Sequence, residues 1–365
     1  MTSDVCKIQE TSVALYTVPT DCAESDGTLT WDKTTLVLVN VSAADQVGIG
    51  YTYADTATAQ LIQGTLLPLI QGKDAMGIPA CWSAMRHSIR NLGRPGICSM
   101  AIAAVDCALW DLKAKLLSLP LVSLLGAVQP SVEIYGSGGF TSYSIDHLQK
   151  QFSGWVEQGI KAVKMKIGRD PDGDVARVKA AREAIGPGAA LYVDANGAYS
   201  RKQALSMAER FAEFGVSWFE EPVTSDDLEG LRLIRDRAPV AMDIAAGEYG
   251  YDLVYFKRMI DAGAVDVQQA DASRCAGISE FLRVGALCDA ANMPMSAHTS
   301  PALHLHACCA LSRLRNIEYF HDHVRIENMF FDGVVQPVGG RLIPDLSRPG
   351  MGLEFKKADA KRYAT

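Results

Sequence analysis

Four short stretches of the sequence each carry a few apolar residues into a charged side chain. They end at Lys166, Asp194, Glu220 and Glu248, and each pattern is typical of a buried strand with a functional group at its C-terminal end. The steps between these four residues are 28, 26 and 28 positions, which matches one strand, one helix and two short loops. In a parallel β/α barrel all such strand ends meet on one face, around an opening that we call the barrel mouth.

Three of these residues, Asp194, Glu220 and Glu248, supply the ligands of a predicted metal site. Carboxylates that converge on one opening cannot all stay ionised without a counter-charge, so a bound divalent cation is the simplest interpretation. Carboxylate oxygens favour Mg²⁺, with Mn²⁺ as a substitute, over Zn²⁺. Ordinary helix caps or ion pairs are the alternative, and the matched spacing of the three acids disfavours it.

Lys164 and Lys166 alternate along one predicted strand, so both side chains point to the same side, into the barrel mouth. A lysine close to a cation and to a second lysine has a lowered pKa and can serve as a base. A solvated surface strand is the alternative, which the apolar Met165 on the opposite face disfavours.

Asp271 and His298 follow at the next strand ends of the same series. An aspartate hydrogen-bonded to a histidine fixes its tautomer and raises its basicity, which makes a general acid/base pair. A lone histidine is more often structural, but the strand order favours the pair here. Glu318, at the end of the predicted eighth strand, is interpreted as a neutral hydrogen-bond donor to a developing oxyanion.

The acidic Glu221 and the run from His321 to His323 have less certain roles. We favour solvated or supporting roles for these side chains. A second metal site at the two histidines is the alternative.

Composition excludes several classes of protein. The 365 residues are 48% apolar, enough for a large core, and the net charge of -7 without a basic run argues against nucleic-acid binding. Nine scattered cysteines without a CxxC pair favour reduced core thiols over a zinc site or a disulfide scaffold. The N-terminus has no signal-like pattern and no apolar run reaches 18 residues, so we expect a cytoplasmic protein without membrane spans.

Residues 1–128 are predicted to form an α+β capping domain, because β-branched strands come first and amphipathic helices follow. Two segments of it, 19–31 and 48–56, are predicted to be loops that select the substrate. The first is long, polar and acidic, which is typical of a mobile or functional loop.

Residues 129–332 alternate strand and helix patterns eight times, which predicts a (β/α)8-type barrel carrying the metal and catalytic residues. The glycine-rich run after the first strand, 136–139, does not match GxGxxG, so a dinucleotide site is disfavoured. Residues 333–365 become turn-rich and are expected to pack back on the capping domain.

The chain resembles the mandelate racemase subgroup of the enolase superfamily over nearly its whole length. The motifs that carry the resemblance are NLGRPG at 91–96, AVDCALWD at 104–111, KMK at 164–166, DANG at 194–197, EEP at 220–222, GE at 247–248, Asp271 and His298. It implies a capping domain on a modified (β/α)7β barrel, with a homo-oligomer of between two and eight subunits. The muconate-lactonising subgroup has a lysine where Asp271 stands and is disfavoured. One departure is Arg274-Cys275-Ala276-Gly277, where the family commonly has paired glycines.

The resemblance also implies residue roles. Asp194, Glu220 and Glu248 would bind Mg²⁺. Lys166 and the Asp271–His298 pair would act as bases on opposite faces of the substrate. Lys164 would neutralise the substrate carboxylate, Asn196 would contact a hydroxyl, and Glu318 would donate to the carboxylate.

Such a site predicts Mg²⁺-dependent removal of the proton α to a carboxylate, because the metal stabilises the enediolate. Dehydration of a sugar acid, an aldonate or aldarate, to a 2-keto-3-deoxy acid is the expected reaction. Racemisation or epimerisation of a 2-hydroxy acid, or cycloisomerisation, is the alternative. A barrel that binds metal but has lost catalysis is the remaining rival, which the complete set of ligands and bases disfavours.

Overall fold

The computed structural model describes residues 6–365 and begins with a three-stranded antiparallel sheet. Its strands, in spatial order, are β1 (Ile8–Ser25), β2 (Thr30–Ala43) and β3 (Gln46–Tyr53). Alternate side chains of β2 point to opposite faces. Leu36 and Leu38 pack in the same apolar cluster as the barrel, whereas Val37 and Val39 pack against the helices of the capping domain. β2 is therefore buried on both faces from Leu36 to Val39, which explains the continuous apolar composition of that stretch.

The segment from Pro19 to Trp31 belongs to the β1–β2 hairpin, so the prediction of a long loop is wrong. Pro19 pairs with Lys33 and Glu24 pairs with Trp31, and the residues of β1 between them bulge out of the ladder. Proline cannot donate a ladder hydrogen bond, and a bulge accommodates extra residues on one strand. Only residues 26–29, which we call the hairpin tip, connect the strands.

The second predicted loop, 48–56, is mostly strand as well. β3 continues to Tyr53, and only Ala54 and Asp55 lead to the next helix. Asp55 caps that helix by accepting a hydrogen bond from the amide of Ala57 at 2.9 Å.

The helices of the capping domain cover the outer face of the sheet. They are α1 (Thr56–Leu61), a π-helical turn (Ile62–Leu66), α2 (Leu67–Ile70), α3 (Ile78–Ser88), α4 (Ile97–Leu116) and α5 (Leu121–Leu125). Two buried aspartates of α4 join it to other elements. Asp106 accepts from Ser279 of a barrel helix at 2.7 and 2.8 Å, and Asp111 accepts from the amides of Ile49 and Met351 at 2.8 and 2.7 Å.

Eight parallel strands close into a barrel, which confirms the predicted fold. The strands are β4 (Val132–Gly138), β5 (Ala162–Lys166), β6 (Ala190–Asp194), β7 (Val216–Glu220), β8 (Asp243–Ala246), β9 (Val267–Ala270), β10 (Met295–Ala297) and β11 (Leu314–Phe320). The helices that follow them are α6 (Ile145–Glu157), α7 (Pro171–Ile185), α8 (Arg201–Ala212), α9 (Leu228–Arg235), α10 (Leu253–Asp261), α11 (Ile278–Ala290), α12 (Pro301–Cys309) and α13 (His321–Phe330). Pairing of Ile317 in β11 with Ile134 in β4 closes the ring.

A cluster of large side chains includes Tyr135, Tyr192 and Trp218 from three barrel strands. Tyr192 and Trp218 stack with ring centroids 5.1 Å apart. These residues precede the charged strand ends in sequence, so the apolar layer lies on the N-terminal side of the polar layer at the mouth.

The C-terminal segment returns to the capping domain. Its elements are β12 (Phe331–Asp332), β13 (Arg341–Leu342), β14 (Glu354–Phe355) and α14 (Lys357–Ala360). The ring of Phe355 lies 5.2 Å from that of Tyr16, and the amide of Thr365 donates to the carbonyl of Leu15 at 3.2 Å. Between residues 6 and 365, no helix is long and apolar enough to cross a membrane.

Candidate active site

Parallel pairing brings the charged strand ends to one level. Lys166 lies opposite Asp194, and Asp194 lies opposite Glu220. Glu248 lies two residues beyond the end of β8, after Gly247, whose φ is +138°. A Cβ at Gly247 would come 2.0 Å from the carbonyl oxygen of Gln269, so only glycine lets the chain turn Glu248 towards the other two acids.

Asp194, Glu220 and Glu248 are buried, and one oxygen atom from each lies within 4.8 Å of the others. Asp194 Oδ1 accepts from the amide of Asn196 at 2.9 Å, and Glu220 Oε2 accepts from the indole of Trp218 at 2.9 Å. Glu248 Oε2 has no hydrogen-bond partner in the described part of the chain. A buried carboxylate oxygen without a partner, beside two further carboxylates, is the environment that a hard divalent cation fits.

The two lysines of β5 face these acids. Lys164 Nζ contacts Glu220, lies 2.8 Å from Glu318 Oε1 and 3.3 Å from Asp194 Oδ2, while Lys166 Nζ lies 2.5 Å from Asp194 Oδ2. Burial lowers the pKa of each ammonium group, but the carboxylates outweigh burial, so the pKa of both lysines is raised. The expected lowering of the lysine pKa requires a bound cation nearby, so it stays a prediction.

The acids themselves respond in different directions. Burial and the neighbouring Asp194 raise the pKa of Glu220 well above its usual value. Burial opposes ionisation of Asp194, but Lys166 and Lys164 lower the pKa of that carboxyl. The pKa of Asp194 is lowered while that of its neighbour Glu220 is raised. This difference indicates that the two lysines do not balance all of the negative charge at the barrel mouth.

The Asp271–His298 pair stands beside the cluster. His298 Nδ1 lies 2.8 Å from Asp271 Oδ2, and its Nε2 lies 3.4 Å from Glu248 Oε2. The amide and hydroxyl of Ser273 both donate to Asp271 Oδ1 at 2.7 Å. Burial opposes ionisation of Asp271, but the hydrogen bond from His298 holds the pKa of that carboxyl well below its usual range. The aspartate thus holds Nδ1 and leaves Nε2 facing the acidic cluster, where it can exchange a proton with a substrate.

Glu318 lies among hydrogen-bond donors. Burial opposes ionisation, but Lys164 and His298 lower the pKa of Glu318 to about 2. Its oxygens accept from the hydroxyl of Ser137 at 2.6 Å and from the amide of Thr299 at 3.2 Å. These contacts favour the carboxylate form, and the expected role of Glu318 as a neutral donor stays a prediction.

Three residues that lie one or two positions after strand-end groups have left-handed backbone conformations. The φ angles of Asn196, Glu221 and Thr299 are +45°, +37° and +50°. Non-glycine residues rarely adopt such angles, and strained backbone clusters at active sites. Asn196 presents a buried Oδ1 without a partner in the described residues, which suits its expected contact with a substrate hydroxyl. Glu221 is buried, and burial together with Glu248 raises the pKa of its carboxyl.

A cavity of 280 Å³ opens above the cluster. Its lining residues are Asp26, Leu29, Trp31, Lys33, Thr34, Thr35, Tyr53 and Ala54 from the capping domain, and Lys166, Asn196, Glu248, Tyr249, Arg274, His298, Thr299, Glu318, Phe320 and His323 from the barrel. Lys166 and His298 therefore both reach the cavity. Lys164 is not among the lining residues, because its ammonium group is buried among Glu220 and Glu318.

The hairpin tip rests directly on the barrel strand ends. A Cβ at Gly27 would come 2.5 Å from the carbonyl oxygen of Ala195 and 2.7 Å from that of Ile167. Arg169 donates to the carbonyl oxygens of Asp26 and Leu29 at 3.0 and 2.6 Å. These contacts hold one wall of the cavity.

Sequence reasoning missed Arg274 as a site residue. Its guanidinium lies 3.2 Å from Glu248 Oε1 and 3.7 Å from Asp271 Oδ2, so it bridges a predicted metal ligand and the pair with His298. The departure from paired glycines is the sequence signal at Arg274. It predicts a change in the local turn and does not predict a contact with Glu248. The rings of Tyr53 and His323 stack with centroids 3.5 Å apart and also line the cavity. The run from His321 to His323 marked His323 in the sequence, whereas Tyr53 carried no sequence signal.

A closed β/α barrel under a capping domain, with an acidic centre at its strand ends, defines a class of metal-dependent barrel enzymes. Residues 12–126 match the N-terminal domain of mandelate racemase / muconate lactonizing enzyme, and residues 147–360 match the enolase C-terminal domain-like family. The chain belongs to the mandelate racemase/muconate lactonizing enzyme family of the enolase superfamily.

Individual relatives cover most of the chain. A crystal structure of a mandelate racemase/muconate lactonizing enzyme-like protein from Rubrobacter xylanophilus is 51% identical, with a TM-score of 0.97 over 98% of this chain and 100% of that one. The 3,6-anhydro-alpha-L-galactonate cycloisomerase of Streptomyces coelicolor is 32% identical over 88% of this chain and 90% of its own length. The L-talarate/galactarate dehydratase of Salmonella typhimurium is 32% identical over 87% of this chain and 79% of its own. Its structure with Mg and L-lyxarohydroxamate has a TM-score of 0.90 at 28% identity, over 98% of this chain and 93% of that one.

Proposed function

We propose that this enzyme removes the proton α to the carboxylate of a sugar acid and then expels the β-hydroxyl, giving a 2-keto-3-deoxy acid. The observation that carries the proposal is that two bases from distant strands, Lys166 and His298, line one cavity beside three clustered carboxylates. Acid-sugar dehydratases and cycloisomerases among the relatives support the same substrate class.

We propose Asp194, Glu220 and Glu248 as ligands of Mg²⁺. The partnerless Oε2 of Glu248 and the three hard oxygen donors within 4.8 Å fit that ion. When bound, Mg²⁺ would polarise the substrate carboxylate and stabilise the enediolate. A cation on Asp194 would also offset the negative charge that raises the pKa of Lys166, so that more of the lysine would be in the neutral form that accepts a proton.

The chain's own groups then divide the proton transfers. One base, Lys166 Nζ or His298 Nε2, takes the proton from C2, and the electron pair of the C–H bond forms the enediolate. As the C3–O bond breaks, its electrons leave with the hydroxyl, and the imidazolium of His298 protonates it to water. The resulting enol tautomerises to the 2-keto acid. Asn196 and Arg274 border the same space, and Arg274 holds Glu248 and Asp271 in place.

Epimerisation or cycloisomerisation is the second candidate. Two bases at one cavity are equally suited to removing a proton on one face and returning one on the other. A cycloisomerase among the relatives favours keeping this alternative.

A screen of mono- and diacid sugars in deuterated buffer with Mg²⁺ tests both candidates. Dehydration predicts stoichiometric 2-keto acid, detected with a carbonyl reagent and by NMR. Deuterium at C2 without keto acid selects epimerisation, and a cyclised or ring-opened isomer selects cycloisomerisation. The absence of turnover and of C2 exchange on every acid would contradict the proposal. His298→Asn serves as the control, because contaminating activity would not respond to it.

A further inference from the structure

A second group of metal-ligating side chains lies outside the cavity, between the capping hairpin and the barrel. Asp21 and Glu24 belong to the bulged part of β1, and His321 is the first residue after β11. One ligand atom from each lies within 4.8 Å of the others. His321 Nε2 is 2.9 Å from Asp21 Oδ2. None of the three lines the substrate cavity.

Glu24 is the unusual member of this group. Its side chain is 0% exposed, and its Oε2 accepts from the indole of Trp31 at 2.7 Å. Its Oε1 has no hydrogen-bond partner among residues 6–365. If the carboxyl is ionised, Oε1 is a buried charge without a counter-ion; if it is protonated, one oxygen still lacks a partner.

Arg325 is a cation that acts on Glu24, but it donates to Asp322 Oδ1 at 2.6 Å and to the carbonyl of Pro19 at 2.7 Å. Asp322 also accepts from the hydroxyl of Thr34. Arg325 and Asp322 are therefore paired with each other, and Glu24 Oε1 keeps no hydrogen-bond partner among residues 6–365.

We propose that Asp21, Glu24 and His321 bind a second divalent cation, separate from the ion at the barrel mouth. Two carboxylates and one imidazole suit Mn²⁺ or Zn²⁺ better than Mg²⁺, because imidazole is a softer donor than oxygen. His321 Nε2 and Asp21 Oδ2 are joined by a hydrogen bond of 2.9 Å, and a bound ion would replace the proton that they share. Water would complete the coordination on the exposed side of Asp21.

The site connects to substrate binding through Trp31. Glu24 holds the indole of Trp31, whose ring lines the cavity and packs edge-on against Phe140 with centroids 5.5 Å apart. An ion that ties Glu24 to His321 fastens the hairpin to the end of the eighth barrel strand. It thereby positions Trp31, which makes Glu24 a positioning residue and not a catalytic one.

Counting bound Mn²⁺ by electron paramagnetic resonance tests the proposal on the whole protein. Wild-type chain is expected to bind two ions, and His321→Ala and Asp21→Asn are each expected to bind one. Asp21 is 45% exposed in its side chain, so Asp21→Asn should fold even if the histidine variant does not. His87→Ala, an exposed histidine on α3, is the matched control and should keep two.

Glu220→Gln separates this site from the barrel site, because it should remove the other ion. One ion in wild type that only Glu220→Gln removes, or two ions retained in both His321→Ala and Asp21→Asn, would overturn the inference. Loss of an ion in His321→Ala with none lost in Glu220→Gln would support it while refuting the barrel ligands. A functional readout accompanies the count: with Mn²⁺ present, His321→Ala should raise KM several-fold and leave kcat nearly unchanged.

Discussion

Asp271 Oδ2 and His298 Nδ1 lie 2.8 Å apart at the ends of neighbouring strands, and this contact turns the imidazole so that Nε2 faces the acidic cluster. Pairing of Ala270 with Ala297 sets the two residues side by side. The aspartate is in turn held by two hydrogen bonds from Ser273. A histidine fixed in this way is suited to transferring a proton at Nε2.

We expect His298→Asn to reduce dehydration by about 10² to 10⁴-fold, as for a lost general acid/base. Exchange of the α-proton with deuterium should persist for substrates whose α-proton faces Lys166. Asp271→Asn should give an equal or smaller loss, because the imidazole remains but is wrongly oriented. Keto-acid formation and NMR exchange measure the two steps. Near wild-type turnover of His298→Asn would make the pair structural.

Lys166→Met should have the complementary effect. Its Nζ is the only lysine ammonium group among the cavity-lining barrel residues of the described chain, so removing it should abolish exchange at one face of the substrate. Exchange at the face of His298 should survive. Lys202→Met, an exposed lysine on α8, is the control. If Lys166→Met still exchanged the α-proton equally at both faces of the substrate, a residue other than Lys166 would be the base at its face.

The spacing of the strand-end residues predicted the barrel and the convergence of its polar groups, because register in parallel strands follows directly from strand order. The expected magnesium dependence agrees with magnesium in a related structure. The ligand and base assignments, the domain bounds, the oligomeric state and the cellular location stay predictions. The segments 19–31 and 48–56 were predicted to be loops but are mostly strand. One stretch of β1 bulges out of the ladder and the hairpin tip lies on the barrel, so the polar sequence of β1 lacks the alternating pattern that predicts a strand.

Contacts between distant segments were beyond sequence reasoning. Arg274 sits three residues after Asp271, and nothing local indicates that its guanidinium reaches Glu248 on another strand end. The stacking of Tyr53 on His323 joins two domains across 270 positions of sequence. The contact of Glu318 with Lys164 at 2.8 Å, which lowers the pKa of that carboxyl, likewise depends on the folded structure and has no local sequence signal.

Metal removal provides a third prediction. Chelation should abolish turnover, and Mg²⁺ or Mn²⁺ should restore it. Glu220→Gln should weaken Mg²⁺ binding at least tenfold, since even indirect partners of metal ligands are worth about 10 to 100-fold, while the fold survives. Calorimetric titration and circular dichroism report the two properties. Glu157→Gln, an exposed acid on α6, should match wild type. Full activity of a metal-free preparation would refute the site.

Buried Glu327 predicts a pH-dependent stability. Burial raises its pKa to about 8, and its carboxyl contacts Tyr51 Oη at 2.6 Å and the amide of Ala302 at 3.1 Å. Folded protein therefore holds a proton that the unfolded chain releases near pH 4.5. This contribution to the free energy of unfolding is complete below that pH and is lost as pH rises through about 8.

Glu327→Gln should remove this dependence, because an amide donates to Tyr51 and accepts from Ala302 without titrating. Between about pH 5 and 8 the variant's unfolding free energy should fall less steeply, by at most about 1.4 kcal/mol per pH unit. Urea unfolding at several pH values measures the slope, and Glu157→Gln should retain that of wild type. Parallel pH profiles for wild type and Glu327→Gln would show that the carboxyl is not protonated in the fold.

The hairpin tip offers the last prediction, on substrate binding. Arg169→Ala removes two hydrogen bonds to the tip, which together stabilise its closed position by about 1–3 kcal/mol. Gly27→Ala should displace the tip further, since its Cβ would strike backbone atoms of Ala195 and Ile167. Both variants should raise KM by about tenfold or more and leave the affinity of the barrel site for Mg²⁺ unchanged, because Asp194, Glu220 and Glu248 all lie outside the hairpin. Hydrogen exchange of residues 26–29 should accelerate in both. Arg210→Ala, an exposed arginine on α8 that contacts Met207 Sδ, controls for loss of an arginine. Wild-type KM in both tip variants would mean that the hairpin does not form a wall of the working site.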